Sequence, residues 1–315
     1  MPRNRRKSTV PCSSNSAQIL ETRQLLAGDV TVALSSFDSR DLVITGDDSS
    51  NQILVEEIGE DRIRVTGQDG TRINGGTNRV TLTVKDDITI NMNGGNDRVT
   101  VRNLNLQNYS HSDFKIDLGT GRDTLEIDET DVARHLNVEA GSGHDTVTIS
   151  ESTAADLLVD GEYGNDTVTI DQLTTDSSAT IDGGEDNDEV RVTDSVIGND
   201  LNIDTESGSD EAVVAGVDVA DNISMSLGSG DDYGVVRRSD ADDIYVYGHA
   251  GDDTVYLYEN DVTDLLYASL SSGNDDLHFW GNAVGRHYFN GGTGTDRWST
   301  VLDYFWTWSN FYNFE

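Results

Sequence analysis

The sequence predicts an all-β chain: a single-stranded, right-handed parallel β-helix of three sides, with about 22 residues per rung and capped ends. Three observations predict it. An aspartate closes a glycine-rich turn at Asp97, Asp123, Asp145, Asp166, Asp188, Asp210, Asp232, Asp253, Asp275 and Asp296, and after a first gap of 26 residues the spacing is always 21 or 22. Apolar residues recur at fixed offsets from each aspartate, two apart within a strand, so they share one side of it. Glycine is frequent (31 residues), proline nearly missing (2), and only 35% of residues are hydrophobic. A narrow solenoid tolerates that composition, because each rung buries its apolar side against the next.

The first 30 residues stand apart. Arg3, Arg5, Arg6 and Lys7 open the chain, and a polar run of Ser13, Ser14, Asn15 and Ser16 follows. No continuous apolar core of a secretory signal follows the basic start. Residues 1–30 are therefore expected to be an export leader or a disordered N-terminus. Residues 31–87 form an irregular β segment leading into the solenoid and capping its N-terminal end, which would otherwise expose core and strand edge. Asp29 to Leu34, Leu42 to Ile44, Gln52 to Val55 and Arg62 to Val65 read as strands. Turn chemistry separates them, as at Gly46-Asp47-Asp48 and Asn74-Gly75-Gly76.

Residues 88–300 are the array. Two residues after the aspartates come Val99, Leu125, Val147, Val168, Val190, Ala212, Gly234, Val255, Leu277 and Trp298. Four after come Val101, Ile127, Ile149, Ile170, Val192, Val214, Val236, Leu257, Phe279 and Thr300. Seven before come Ile90, Ile116, Val138, Val159, Ile181, Ile203, Met225, Val246, Ala268 and Phe289. A weaker third side offers Val132, Ile197, Val219, Val262 and Val284. Three sides at this period fit a β-helix better than a two-sided roll, which needs about 18 residues. The hand follows from the right-handed bias of parallel crossovers, and ten rungs give a rod about 45–50 Å long. Residues 301–315 hold seven aromatics, from Tyr304 to Phe314, and are expected to cap the last rung, with a partner-binding tail as the alternative.

With 58 acidic against 21 basic residues the formal charge is −37, which excludes nucleic acid and anionic membrane surfaces as partners, since both need clustered cations. No apolar run approaches the ~20 residues of a transmembrane segment. The single cysteine, Cys12, rules out an internal disulfide framework. The six histidines fall at different rung positions, so no metal spacing emerges. Arg237-Arg238 beside Asp240 reads as a surface ion pair. Rungs of constant length leave no insertion to wall a catalytic cleft, so the chain is expected not to be an enzyme; a polysaccharide lyase or hydrolase is the catalytic alternative.

The turns, clearest at Gly291-Gly292-Thr293-Gly294-Thr295-Asp296 and good at Gly119–Asp123, Gly141–Asp145 and Gly228–Asp232, resemble the RTX, or haemolysin-type, calcium-binding repeats. Glu162, Glu206, His249 and Ser271 replace the second glycine of that pattern, and Asp186 the third. The resemblance implies that several calcium ions lie between stacked turns, held by backbone carbonyls and by the ten turn aspartates. Separately, Leu20-Glu21-Thr22-Arg23-Gln24-Leu25-Leu26-Ala27 resembles the L-E-P-R-x-L-L-A leader of planctomycete-type exported proteins, with threonine for proline at Thr22. That resemblance implies a secreted or cell-surface location.

Physical chemistry alone leaves two readings of the turns open. Calcium takes six to eight oxygens at ~2.3–2.6 Å. Stacked aspartates ~4.8 Å apart repel by ~1 kcal/mol per pair in water, which cations relieve. A second acidic column, Asp117, Glu139, Asp160, Asp182 and Asp204, adds to the repulsion. Alternatively each turn aspartate accepts hydrogen bonds from its own turn, as Asx turns do, and the rod is a metal-independent structural spacer. Later rungs replace the acids with outward aromatics, Tyr245, Tyr256, Tyr267, Trp280 and Tyr288 among them. These are read as one C-terminal face, either a stabilising ladder or a contact surface for cell-envelope glycans or surface proteins.

Overall fold

The computed structural model describes residues 28–35, 40–59, 61–76, 78–107, 112–300, 304–305 and 309–313. Residues 1–27, which hold the leader-like segment, lie outside them, as do Trp306, Trp308 and Phe314 of the aromatic C-terminus.

The chain is an all-β, three-sided parallel solenoid. The side after each aspartate is five residues long, as in Thr146–Ser150 and Thr167–Asp171, which pair in parallel with Val147 opposite Val168 and Ile149 opposite Ile170. A two-residue second side follows, as in Thr153–Ala154 against Thr174–Thr175. The third side, as in His135–Glu139 against Asp156–Asp160, leads into the next turn. Every strand of the array pairs with its equivalents one rung away, so each apolar offset becomes a continuous internal column. Val147, Val168, Ile149 and Ile170 are essentially buried, as are Val138, Val159 and Ile181 on the third side and Val132, Ile197 and Val219 on the second. Gly234 leaves a gap in one column, and Leu227 and Met225 fill it: a methyl added at Gly234 would lie 3.0 Å from the Leu227 side chain and 3.3 Å from the Met225 sulfur. The last rung departs from the expected core. Trp298 is 42% exposed, because its ring rests on Phe279 below without another rung of this side above it among the described residues.

The three corners are built differently. Between the first and second sides one residue per rung takes positive φ: Glu129, Glu151, Gln172, Asp194, Arg238 and Glu259, with Gly216 and Gly281 at the same place. A single left-handed residue bends the strand without a loop. Just inside this corner runs a buried polar column. Ser152 Oγ accepts the Thr130 N–H, Ser195 Oγ the Leu173 N–H, Asn260 Oδ1 the Ser239 N–H and Asn282 Oδ1 the Asn260 N–H. The corner before the aspartate is the wide glycine turn.

The N-terminal segment contains one more rung than the aspartate count suggests. Leu42–Thr45 pairs in parallel with Ile88–Asn91, and Gln52–Glu57 with Arg98–Asn105. In this rung a hairpin, Arg62–Gly67 against Arg79–Thr83, replaces the short second side and lies antiparallel on Gln52–Glu57. Asp29–Leu34 folds antiparallel on Leu42–Thr45. At the other end Tyr304–Phe305 and Ser309–Tyr312 continue in parallel on Ala283–Asn290.

At nine of the ten turns the residue two before the aspartate is glycine, where stacking leaves little room for a side chain; before Asp188 it is Asp186, held at a φ of 83°. A Cβ at Gly230 would lie 1.3 Å from the carbonyl oxygen of Gly208 one rung below, and its φ of 143° already disfavours any side chain. Gly230→Ala should therefore destabilise the fold by about 3 kcal/mol or more. Gly76→Ala, where the added methyl meets nothing within 4 Å, should melt like the parent protein. Thermal melts followed by circular dichroism compare the two.

Candidate metal centre: the buried aspartate ladder

The structure brings all ten turn aspartates into one internal column. Each is at most 4% exposed. The side chain folds back beneath its own turn, and its Oδ1 accepts the backbone N–H of the aspartate one rung earlier. These bonds run unbroken from Asp97 donating to Asp123 at 2.6 Å, through Asp145 to Asp166 at 2.7 Å and Asp188 to Asp210 at 2.7 Å, to Asp275 donating to Asp296 at 3.1 Å. The additional first rung joins the column through Asn51, whose N–H donates to Asp97 Oδ1 at 2.6 Å.

This geometry corrects the Asx-turn expectation. The turn aspartate bonds across rungs, not within its own turn. Asx turns do occur, but in the outer acidic column: Asp160 Oδ1 accepts the Glu162 N–H and Asp204 Oδ1 the Glu206 N–H, two residues on in each case. Those caps hold Glu162 and Glu206, four before their ladder aspartates, in the left-handed region, and His249 and Ser271 take the same conformation without one, all four with φ between 53° and 67°. The turn therefore keeps its shape without the second glycine.

The second carboxylate oxygen is the chemically unusual atom. In all ten aspartates Oδ2 is buried and has no hydrogen-bond partner. It lies under the residue five positions earlier; a methyl added at Gly161, Gly183, Gly248 or Gly291 would sit 2.4–3.0 Å from it. On the other side of the carboxyl, Oδ1 and the carbonyl of the rung below converge on the space that the glycine two before leaves open. A Cβ at Gly143 would be 1.4 Å from the Gly121 oxygen and 3.0 Å from Asp145 Oδ1. The same pair of oxygens meets at Gly208 and Gly273. At these turns Oδ1 and one backbone carbonyl, two hard oxygens of the kind calcium takes, lie on one side of the carboxyl and the unpartnered Oδ2 on the other.

Burial raises the pKa of the aspartates from Asp97 to Asp275 and so weakens them as acids. Loss of solvent is the largest cause, opposed by the cross-rung N–H and reinforced by neighbouring carboxylates. Asp97 and Asp188 are pushed from 3.8 to about 7, Asp166 and Asp253 to about 8, and Asp123, Asp210, Asp232 and Asp275 to about 6. Asp145 is raised as well, by burial first.

Two other acidic groups lie nearby in the fold. Asp160, Glu162, Asp182, Glu185 and Glu206 line a shallow depression of about 300 Å³ with Tyr163, and there Asp182 is pushed up to about 6 by burial and by Glu206, Asp160 and Asp204. At the N-terminal end Asp41, Asp86 and Asp87 place carboxylate oxygens within 4.8 Å of one another, and Arg40 pairs with Asp86 at 3.1 Å.

The aromatic residues do not form one face. Tyr245, Tyr267 and Tyr288 stack along the third side, with Tyr267 flat on Tyr288 at 5.3 Å. Tyr256 and Trp280 stand on the first side, where Tyr258 lies flat on Trp280 at 4.4 Å. A period of three strands per rung sends residues eleven positions apart to different sheets, so Tyr245 and Tyr256 point away from different faces. Arg238 pairs with Glu259 at 3.0 Å rather than with Asp240.

The acidity shifts set a pH dependence for the protein stripped of metal by a chelator. A carboxyl whose pKa is higher folded than unfolded binds its proton more tightly in the fold. It stabilises the fold fully below the unfolded value of 3.8, and that contribution disappears as pH rises through the folded values of about 6 to 8. Melting temperature in chelator should therefore fall between about pH 5 and about pH 8.5. A flat or rising profile would contradict a neutral, proton-held ladder. Among the described residues no helix is long and apolar enough to cross a membrane. No family model matches the chain, nor does any curated protein or solved structure compared with it, so the roles of these residues rest on their geometry.

Proposed function

We propose that this protein is an exported, acidic β-solenoid that binds calcium along its aspartate ladder and serves as a structural or adhesive component at the cell surface or outside the cell. The observation that carries the calcium reading is the column of buried Oδ2 atoms without hydrogen-bond partners. A buried carboxylate oxygen left unpaired costs free energy, and a cation or a proton removes that cost. The residues that would hold calcium are the ten ladder aspartates, with the carbonyls of the glycines two before them. Bound there, the ion would neutralise the column and lock neighbouring turns together.

The rest of the reading draws on the sequence. The leader-like octapeptide supports export, and a charge of −37 suits a medium rich in divalent cations. The reading assigns the chain no catalytic step. Its proposed partners beside calcium are cell-envelope glycans or surface proteins, met through one of two separate surfaces: Tyr245, Tyr267 and Tyr288 on the third side, or Tyr256 and Trp280 on the first. A second reading, a metal-independent spacer with a protonated ladder, is favoured by the raised pKa values of Asp166 and Asp253.

One set of variants separates the two. Replacing Asp166, Asp188 and Asp253 together by Asn keeps the oxygen that accepts the cross-rung amide and removes the charge. The parent protein should melt higher in millimolar calcium than in chelator, and more so at higher pH, because protons and calcium compete for the same oxygens. Each site filled at a hundredfold excess over its Kd adds about 2.7 kcal/mol. The triple variant should melt at or above the parent in chelator and lose most of the calcium-dependent gain. Melting of the parent that ignores calcium at every pH would leave the proton-held spacer.

A further inference from the structure

Away from the ladder, the outer surface of the first side carries a depression of about 570 Å³. Its floor is Val213, Ala215 and Val235, small outward-facing side chains on two successive rungs that are only 4–8% exposed. Larger neighbours cover them. Tyr256 and Tyr258 pack against the floor from the C-terminal side, and Tyr233, itself 40% exposed, stands at its edge. Stacking fixes these rings: Tyr258 on Trp280 at 4.4 Å, Tyr256 on His278 at 4.5 Å, and Tyr256 against Tyr233 at 5.6 Å. At the other end Arg191 is held between Glu189 at 2.9 Å and Glu211 at 3.0 Å.

We propose that this depression binds an acidic saccharide, a chain whose rings carry carboxylate or sulfate groups. The size is that of a small-ligand site. Ordered aromatic rings over an aliphatic floor suit the C–H faces of sugar rings, and the Arg191–Glu211 pair offers directed donors and acceptors to hydroxyls. Arg237 selects the charge. It lies in the column between Ala215 and Tyr258, and among the described residues its guanidinium has no carboxylate within ion-pair reach. Its neighbours Arg191 and Arg238 are paired with glutamates, which leaves Arg237 as the arginine of this depression whose fork is open to a ligand. A guanidinium fork matches a carboxylate or sulfate in two hydrogen bonds. The distant negative charge of the rod opposes an anionic ligand weakly, since it is screened beyond ~8 Å at physiological salt.

The proposal deepens the adhesive reading above and rests on it, but not on calcium. Titration calorimetry of the full chain in chelator tests it, with a galacturonate oligomer and an uncharged glucose oligomer of equal length as probes. The acidic oligomer should bind and the neutral one should bind at least about tenfold more weakly. Arg237→Gln should erase that preference, and Tyr258→Ala should weaken binding of the acidic oligomer by about tenfold or more. Tyr267→Ala, on the third side, should change neither. Arg237 is a surface residue, so Arg237→Gln remains informative even if Tyr258→Ala perturbs the fold. Equal binding of the two oligomers, or no binding of either, overturns the proposal. Binding lost in Tyr267→Ala and kept in Arg237→Gln and Tyr258→Ala also overturns it, while leaving adhesion by the third side standing.

Discussion

The solenoid depends on one repeated hydrogen bond, from the backbone amide of one ladder aspartate to the carboxyl of the next. A wide turn between parallel strands cannot complete its own backbone pairing, because its amides point along the rod and not across it. The aspartate supplies the missing acceptor from the rung above, at 2.6–3.1 Å along the whole column. To reach that amide the side chain must enter the turn, and the glycine two before must make room. Burial of the carboxyl and the glycine column are consequences of this bond, and the raised pKa values follow from the burial, against the pull of the bond itself. The outer face of the turn mirrors it. The Arg122 N–H donates to Asn96, the Asn187 N–H to Asn165 and the Asn274 N–H to Asp252, each toward the preceding rung. In these turns adjacent residues bind their neighbours in opposite directions, so that the turn is held from both sides.

The second polar column, at the left-handed corner, solves the same problem with neutral groups. Serine and asparagine there accept an amide without leaving an orphaned oxygen of high charge, and Asn260 and Asn282 also donate to the Val236 and Leu257 carbonyls. The contrast isolates what is special in the aspartate ladder. At this corner alignment of rungs does not require a carboxylate, because serine and asparagine accept the amide; at Asn51, where the ladder begins, the backbone N–H donates to Asp97 and the side-chain Oδ1 accepts nothing. What the ladder adds is a row of acidic side chains whose second oxygen has no hydrogen-bond partner.

The fold is legible in the sequence because a solenoid writes its geometry as a period. The apolar offsets around Asp145 or Asp166 identify core columns on all three sides, and they fail at Trp298, where no further rung of that side is described. The rung containing Asn51 is hidden because its hairpin stretches the step to the next rung to 46 residues and asparagine stands for aspartate. The left-handed corner is hidden as well: Glu129, Gln172 and Arg238 carry none of the glycine signal that marks such a conformation. Of the candidate site, the stacking and identity of the ten aspartates are legible, but their burial is not. An acidic side chain beside a turn ordinarily faces solvent, and only the cross-rung bond shows why these do not. The split of the aromatic residues needs the lengths of all three sides, which the apolar pattern defines poorly on the short second one.

The bonds between rungs all lie along the axis of the rod, whereas covalent connectivity winds around it. Tension applied between the ends therefore loads one inter-rung interface after another in series, and the weakest yields alone. A rung that opens occupies ~4.8 Å of the rod when folded. Its 22 residues release about 75 Å of extended chain. The neighbours stay intact, since each keeps its own pairing. A surface component built this way would lengthen stepwise under load and regain its length when the load falls. The aspartate bond that lets the turns stack would then also set the force at which each step occurs.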